Sequence, residues 1–151
     1  MFLVKYIIIR NTSTVILFRV KCLCIDMYRR DTKKIGQIGE DIACQFLIRK
    51  GFRILDRNFS KKHGEVDIVA EKSGIVRFVE VKTVSRENTL DAEYRPEEQV
   101  HQKKLDKIAR AASVYMDKHC HTDTDYQIDV VGILLNAKNK TAKCRLFEGV
   151  T

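Results

Sequence analysis

Two β-branched runs, Glu65 to Ala70 and Ile75 to Thr83, stand on either side of the triplet Lys72-Ser73-Gly74. A short Gly-containing turn between two such runs specifies an antiparallel hairpin. No other feature restricts the fold of this chain as much. The hairpin carries charges where a strand should be apolar. Asp67 interrupts Glu65-Val66-Asp67-Ile68-Val69, and Glu80 and Lys82 interrupt Phe78-Val79-Glu80-Val81-Lys82. Side chains alternate along a strand, so Glu80 and Lys82 share a face, and Asp67 on the neighbouring strand can lie beside them. Burying charges singly is costly. A site that gathers a cation would compensate for it.

The flanking sequence supplies the remaining elements. Ile35, Ile38, Ile42, Phe46 and Leu47 recur at helical spacing, and Gly51 follows Arg49-Lys50, which predicts a helix over about Lys34 to Lys50. Phe52 to Phe59 reads as a strand, closed by the basic turn Ser60-Lys61-Lys62-His63-Gly64. Val84 to Pro96 reads as a polar loop. Glu97 to Lys118 reads as a long helix with Leu105, Ile108, Ala109, Ala112 and Met116 on one face. Tyr126 to Leu135 is a buried strand, and Asn136 to Lys140 turns into a last strand near Cys144 to Phe147. The order is α-β-β-β-α-β plus an edge strand, an α/β arrangement. A length of 151 residues suits one domain, with no repeat or linker to divide it.

Charge is concentrated at one end. Residues 1–30 contain six basic side chains and one acid, against 22 basic and 19 acidic in the rest, so they carry +5 of the net +8. Global charge is therefore a weak argument for nucleic-acid binding by the main body. Phe2 to Ile9 and Val15 to Ile25 are apolar and β-branched, broken by Lys5, Arg10, Arg19 and Lys21. They read either as a hairpin turned by Asn11-Thr12-Ser13-Thr14, or as a non-native extension upstream of a start at Met27. The second is favoured, giving a 1–26 extension and one domain over 27–151. No uncharged apolar run is long enough to cross a bilayer, so no membrane partner is expected. The five cysteines, Cys22, Cys24, Cys44, Cys120 and Cys144, are odd in number and lack C-x-x-C spacing. They read as free thiols of a reducing cytoplasm. His119-Cys120-His121 is not expected to bind metal, since i and i+2 on a helix do not share a face.

Mg²⁺ suits the acids of the hairpin, because it takes hard oxygen ligands: one or two carboxylates with waters and phosphate oxygens. Asp67 and Glu80, with the carbonyl of Val81, form the candidate metal set. Lys82 could hold an attacking water or offset transition-state charge. Glu40, on the first helix, could add a carboxylate directly or through water. The competing reading makes Glu80 and Lys82 a salt bridge on a solvated sheet face, with Asp67 in a polar hairpin.

Gly36-Gln37-Ile38-Gly39-Glu40, Arg57-Asn58, Gly64-Glu65-Val66-Asp67-Ile68-Val69-Ala70 and Phe78-Val79-Glu80-Val81-Lys82-Thr83 together resemble the bacterial YraN family. That family looks like the restriction-endonuclease-like, PD-(D/E)xK nucleases and is similar to archaeal Holliday-junction resolvases. The resemblance runs from about Gly36 to Ile133. It implies an αβββαβ core, a mixed central sheet flanked by helices, and a phosphodiesterase site of Asp67, Glu80 and Lys82 using Mg²⁺ or Mn²⁺. Glu40 matches the acid of the first helix, and Val100 and Lys104 match a V-x-x-x-K pair that opens the second core helix. Two departures stand out. Val66 replaces the signature proline, and Gln127-Ile128-Asp129 lacks the Arg that similar proteins usually carry at the first of these positions. The resemblance implies nuclease cleavage, of branched or damaged DNA in particular, and a homodimer for symmetric cutting. The alternative is a non-catalytic nucleic-acid-binding module. Lys61, Lys62 and Lys104 are the candidate nucleic-acid contacts, with His63, Arg86 and Arg95 as further phosphate-binding candidates.

Overall fold

The computed structural model describes residues 6–11, 15–20, 31–62, 64–86, 100–119, 125–136 and 138–150; for the first two segments and residue 86 it gives the backbone path. Asp31 opens the first helix. Its carboxylate accepts from Lys34 N at 3.2 Å, satisfying one of the amides a helix start leaves unpaired. Helix α1 then runs Thr32–Arg49, and Gly51 follows in the left-handed region at φ 84°, where a side chain would be strained.

Three antiparallel strands follow: β3 (Arg53–Lys61), β4 (Gly64–Lys72) and β5 (Ile75–Arg86). Ser73 and Gly74 both take positive φ, 53° and 79°, the pattern of a two-residue hairpin turn matched to strand twist. Helix α2 (Gln102–Lys118) precedes β6 (Tyr126–Asn136), which pairs parallel to β5 from Val76↔Tyr126 to Arg86↔Asn136. β7 (Thr141–Phe147) returns antiparallel to β6. These five strands and two helices form the α/β, restriction-endonuclease-like core. Two further strands, β1 (Tyr6–Asn11) and β2 (Val15–Val20), form a hairpin whose second strand pairs with β7. The whole sheet is ordered β1-β2-β7-β6-β5-β4-β3.

Each helix closes one face of the core sheet. Ile42, Ala43, Phe46 and Leu47 of α1 pack on Ile68, Val79, Val131 and Ile133. Ile108, Ala111, Ala112 and Tyr115 of α2 pack on Val69, Val76 and Phe78. The Tyr115 ring meets Phe59 and Phe78 edge-on, with centroids 5.0 and 5.7 Å apart. Each large apolar side chain buried in this way contributes about 1.5–3 kcal/mol.

The elements depart from the sequence-based bounds mainly at their ends. α1 starts at Thr32 because Asp31 caps it. α2 starts at Gln102 rather than Glu97, with His101 at the N-cap and Val100 already buried before it. β5 continues through Val84 and Ser85, expected from sequence to be loop, because β6 supplies a partner as far as Asn136. β7 starts at Thr141 rather than Cys144, since Thr141 and Ala142 pair with Asn136 and Leu135. Thr12, Ser13, Thr14, Met27, Cys22, Cys24 and most of the polar loop lie outside the described residues. Cys44 and Cys144 are buried free thiols. Burial pushes Cys44 up to about 11, well clear of reactive thiolate at neutral pH.

Candidate functional site

The β4–β5 ladder begins at the Lys72–Ile75 turn and stops at Ile68↔Val79. Beyond that pair, among the described residues, β4 pairs only with β3 and β5 only with β6, so the two strands part. Asp67 is the first residue of β4 past the last pair. Its Oδ2 accepts a 2.7 Å hydrogen bond from Val81 N, so a side chain takes up what the ladder no longer supplies. The mid-strand acid thus has a structural use, joining β4 to β5 where the ladder ends.

Glu80 is 2% exposed. Its Oε1 lies 3.0 Å from Lys82 Nζ and its Oε2 lies 3.2 Å from Lys104 Nζ. The Glu80–Lys82 salt bridge of the competing reading does form, but around a buried carboxylate and not on a solvated face. Oε2 is buried and, despite the ion pair, lacks a well-directed hydrogen bond among the described residues. Lys104 Nζ also lies 3.4 Å from Glu65 Oε1. Burial by itself would lower the Lys104 ammonium, but Glu80, Asp67 and Glu65 outweigh it and hold its pKa above the ordinary lysine value.

Burial raises Asp67 most, and the charge of Glu80 adds to it. The Val81 N–H bond and Lys104 oppose the rise, Glu40 reinforces it, and the carboxyl stands at about 7. Glu40 comes from α1, on the opposite face of the sheet, yet its charge reaches Asp67. Gly39 explains the approach: a Cβ there would lie 1.8 Å from Thr83 Oγ1 and 2.9 Å from Thr83 Cβ. The missing side chain lets α1 press against β5 one residue beyond Lys82. Gly39→Ala is therefore expected to destabilise the fold by about 1–3 kcal/mol as α1 is forced outward. Adding Thr83→Ala should recover only part of this, because its Cβ remains in the way. Urea unfolding of the single and double variants checks it; an unperturbed Gly39→Ala would refute this packing.

The three lysines expected to touch nucleic acid line one groove. It has a volume of about 360 Å³ and walls that include Ser60, Lys61, Lys62, Lys104 and Lys107. Gly64 shapes it, since a Cβ there would meet Lys107 O at 2.3 Å and push α2 off β4. Lys107 is a groove residue that sequence reasoning did not single out. The available signal was its spacing from Lys104, i+3 on one helix face. His63 and Arg95 lie outside the described residues, as does the side chain of Arg86.

A second buried polar cluster lies on the α1 face. Asp129 is 0% exposed and accepts from Arg77 Nη1 at 3.2 Å, Gln127 Nε2 at 2.7 Å and Gly149 N at 2.9 Å. Arg77, from the adjacent strand, thus supplies the guanidinium that β6 lacks at Gln127. The partner whose absence marked the sequence is present, donated by β5. Arg57 bonds Asp41 at 2.7 Å and ties β3 to α1. His119 Nδ1 lies 2.9 Å from Tyr115 O and its ring stacks on Tyr115; Cys120 and His121 lie outside the described residues. Among the described residues, no three His, Cys, Asp or Glu side chains form a ready-made metal cage. No helix among them is long and apolar enough to cross a membrane.

An αβββαβ core with a strand divergence lined by acids and lysines places the chain in the restriction-endonuclease-like class of folds. The family described as Uncharacterised protein family UPF0102 matches residues 39–133, and the chain belongs to it; it is the YraN-like family. A UPF0102 protein of Campylobacter jejuni is 42% identical over 98 residues, covering 65% of this chain and 81% of its own. One from Campylobacter fetus is 40% identical over 101 residues, covering 67% and 84%. One from Syntrophomonas wolfei is 39% identical over 103 residues, covering 68% and 86%.

Proposed function

We propose that this chain is a Mg²⁺- or Mn²⁺-dependent nuclease acting on DNA, branched or damaged DNA in particular, in the reducing cytoplasm. The reading rests on one observation above all. Asp67 and Glu80 crowd negative charge at the parting of β4 and β5, with Lys82 3.0 Å from Glu80. These residues fit a hard divalent cation. Burial and the Glu80 charge disfavour ionised Asp67, and Glu80 draws two ammonium groups to itself, so a cation between the two acids would relieve the crowding of negative charge. Two carboxylates, with waters and a phosphate oxygen, suit Mg²⁺. Asp67 and Glu80 would hold the ion, with Glu40 contributing through water. When bound, it lowers the pKa of a coordinated water and withdraws charge from the phosphate.

The protein's own groups do the rest. Lys82, kept in place by Glu80, is set to orient the attacking water or to meet charge developing on the phosphate. Lys61, Lys62 and Lys104 bind backbone phosphates, which fixes register without reading sequence. The test is cleavage of labelled linear, flap and four-way DNAs, with RNA counterparts, in Mg²⁺ or Mn²⁺. Lys82→Ala is expected to slow cleavage by about 10²- to 10³-fold while leaving Mn²⁺ affinity equal or higher, since a nearby positive charge is removed. A variant cutting at the wild-type rate would reduce Lys82 to a structural partner of Glu80. Binding without cleavage in either metal would favour the non-catalytic binding module instead.

Residues 27–151 form the nuclease-like domain in this proposal, with a homodimer as the form that cuts two strands. Among the described residues, the backbone of β1 and β2 joins the rest of the sheet through β7, separated from β5 by β6. A protein beginning at Met27 should therefore fold with its metal site intact. Its affinity for DNA should fall only through lost counterion release, with a shallower salt dependence. Its uncovered β7 edge should favour self-association. Circular dichroism, Mn²⁺ titration and size-exclusion chromatography check this; an unfolded product would make the hairpin part of the domain.

A further inference from the structure

We propose that Lys104 is a mobile counter-ion: it holds Glu80 in the metal-free protein, and metal entry releases it to a phosphate of the nucleic-acid backbone. Metal and nucleic acid then bind cooperatively. This rests on the reading of Asp67 and Glu80 as metal ligands.

Both oxygens of Glu80 face an ammonium, but the two lysines differ in how they are held. Lys82 lies on β5, two residues along from Glu80, and is carried by the same strand. Lys104 reaches Glu80 from α2, a separate element, through its flexible stem. It approaches Oε2, the oxygen that lacks a directed hydrogen bond. A divalent ion at that oxygen and an ammonium 3.2 Å from it compete for the same negative charge. The partner left to a displaced Lys104 is Glu65, 3.4 Å away with a side chain 69% exposed, where solvent weakens the pair. The same Lys104 forms part of the wall of the groove that holds Lys61, Lys62 and Lys107. A phosphodiester in that groove meets a fourth ammonium as soon as Glu80 gives it up. Linkage makes the effect reciprocal: a phosphate that draws Lys104 away frees Oε2 and raises metal affinity. Lys104 is a positioning residue in this account, acting through Glu80 and the backbone phosphates.

The experiment is Mn²⁺ titration of the full chain by calorimetry, with and without a short phosphorothioate DNA duplex that resists cleavage. The proteins compared are wild type, Lys104→Met, Lys104→Gln and Lys107→Met. Lys104→Gln can still hydrogen-bond Oε2, which guards against a folding defect in Lys104→Met. Both Lys104 variants should bind Mn²⁺ more tightly than wild type. In wild type the duplex should raise Mn²⁺ affinity about fivefold or more. That coupling should vanish in the Lys104 variants and survive in Lys107→Met, which loses duplex affinity alone. If the folded Lys104 variants bind Mn²⁺ no more tightly than wild type, or keep the coupling, the counter-ion role is wrong while the metal site stands. If wild type and both Lys104 variants bind no Mn²⁺, the metal site itself is wrong and this inference falls with it.

Discussion

Asp67→Asn is expected to abolish the Mn²⁺-induced rise in melting temperature and reduce cleavage to background, while stabilising the metal-free protein above pH 7. Asn keeps an oxygen to accept the Val81 N–H, so the strand divergence survives the change. The stability gain follows from the Asp67 pKa, raised from its ordinary 3.8 up to about 7. Between those values the folded carboxyl holds a proton that the unfolded chain has released. Metal-free stability therefore falls as pH rises from about 4 to about 7 and stays low above. A tenfold change in proton affinity is worth about 1.4 kcal/mol; Asp67 is mostly buried but keeps some contact with solvent, so about 2 kcal/mol, less than the full shift, is the expected gain for Asn at pH 8. The gain should disappear towards pH 4. Mn²⁺ must displace the same proton, so its apparent affinity should climb with pH up to about 7 and then level off. Melting curves of both proteins from pH 4.5 to 8.5, with and without Mn²⁺, test all of this. Equal Mn²⁺ responses in the two would exclude Asp67 as a ligand.

Asp129→Ala should cause the largest loss of stability, about 3–5 kcal/mol, because it strands a buried cation. Among the described carboxylates Arg77, 11% exposed, would keep only Glu148, whose Oε1 lies 3.3 Å away on a side chain 55% exposed. Gln127 Nε2 and Gly149 N would lose their acceptor too, freeing the tail that Val150 N anchors to Ile128 O. Asp129→Asn retains an acceptor and should cost less. Strand alternation puts Arg77 and Asp129 on the α1 face, away from Glu80. The folded Asp129→Asn protein should consequently bind Mn²⁺ like wild type. Urea unfolding together with Mn²⁺ titration separates the two effects. A loss of metal affinity matching the loss of stability would show that the clusters are coupled.

Local chemistry wrote much of this protein into its sequence. Alternation in Glu65–Ala70 and Ile75–Thr83, with Ser73-Gly74 between them, determined the hairpin and set Glu80 and Lys82 on one face. Helical spacing from Ile35 to Leu47 determined α1, and the G-E-x-D and F-V-E-V-K-T segments pointed to the family. These depend on neighbours within a few residues, where backbone geometry dictates what a side chain can face. What the sequence could not decide was which distant groups would meet. The parallel register of β5 on β6 extends β5 through Val84 and Ser85 and brings Arg77 to Asp129 in place of the Arg missing at Gln127. The close approach that Gly39 permits brings the charge of Glu40 to bear on Asp67 across the sheet. The packing of α2 sets Lys104 against Glu80 and Lys107 in the same groove. Of the two readings of the first residues, a hairpin or an extension upstream of Met27, periodicity could not say where such strands would dock; the structure pairs β2 with β7. Periodicity says which face a side chain occupies, but an ion pair across elements depends on strand register and helix placement, and those are settled only when the whole core packs.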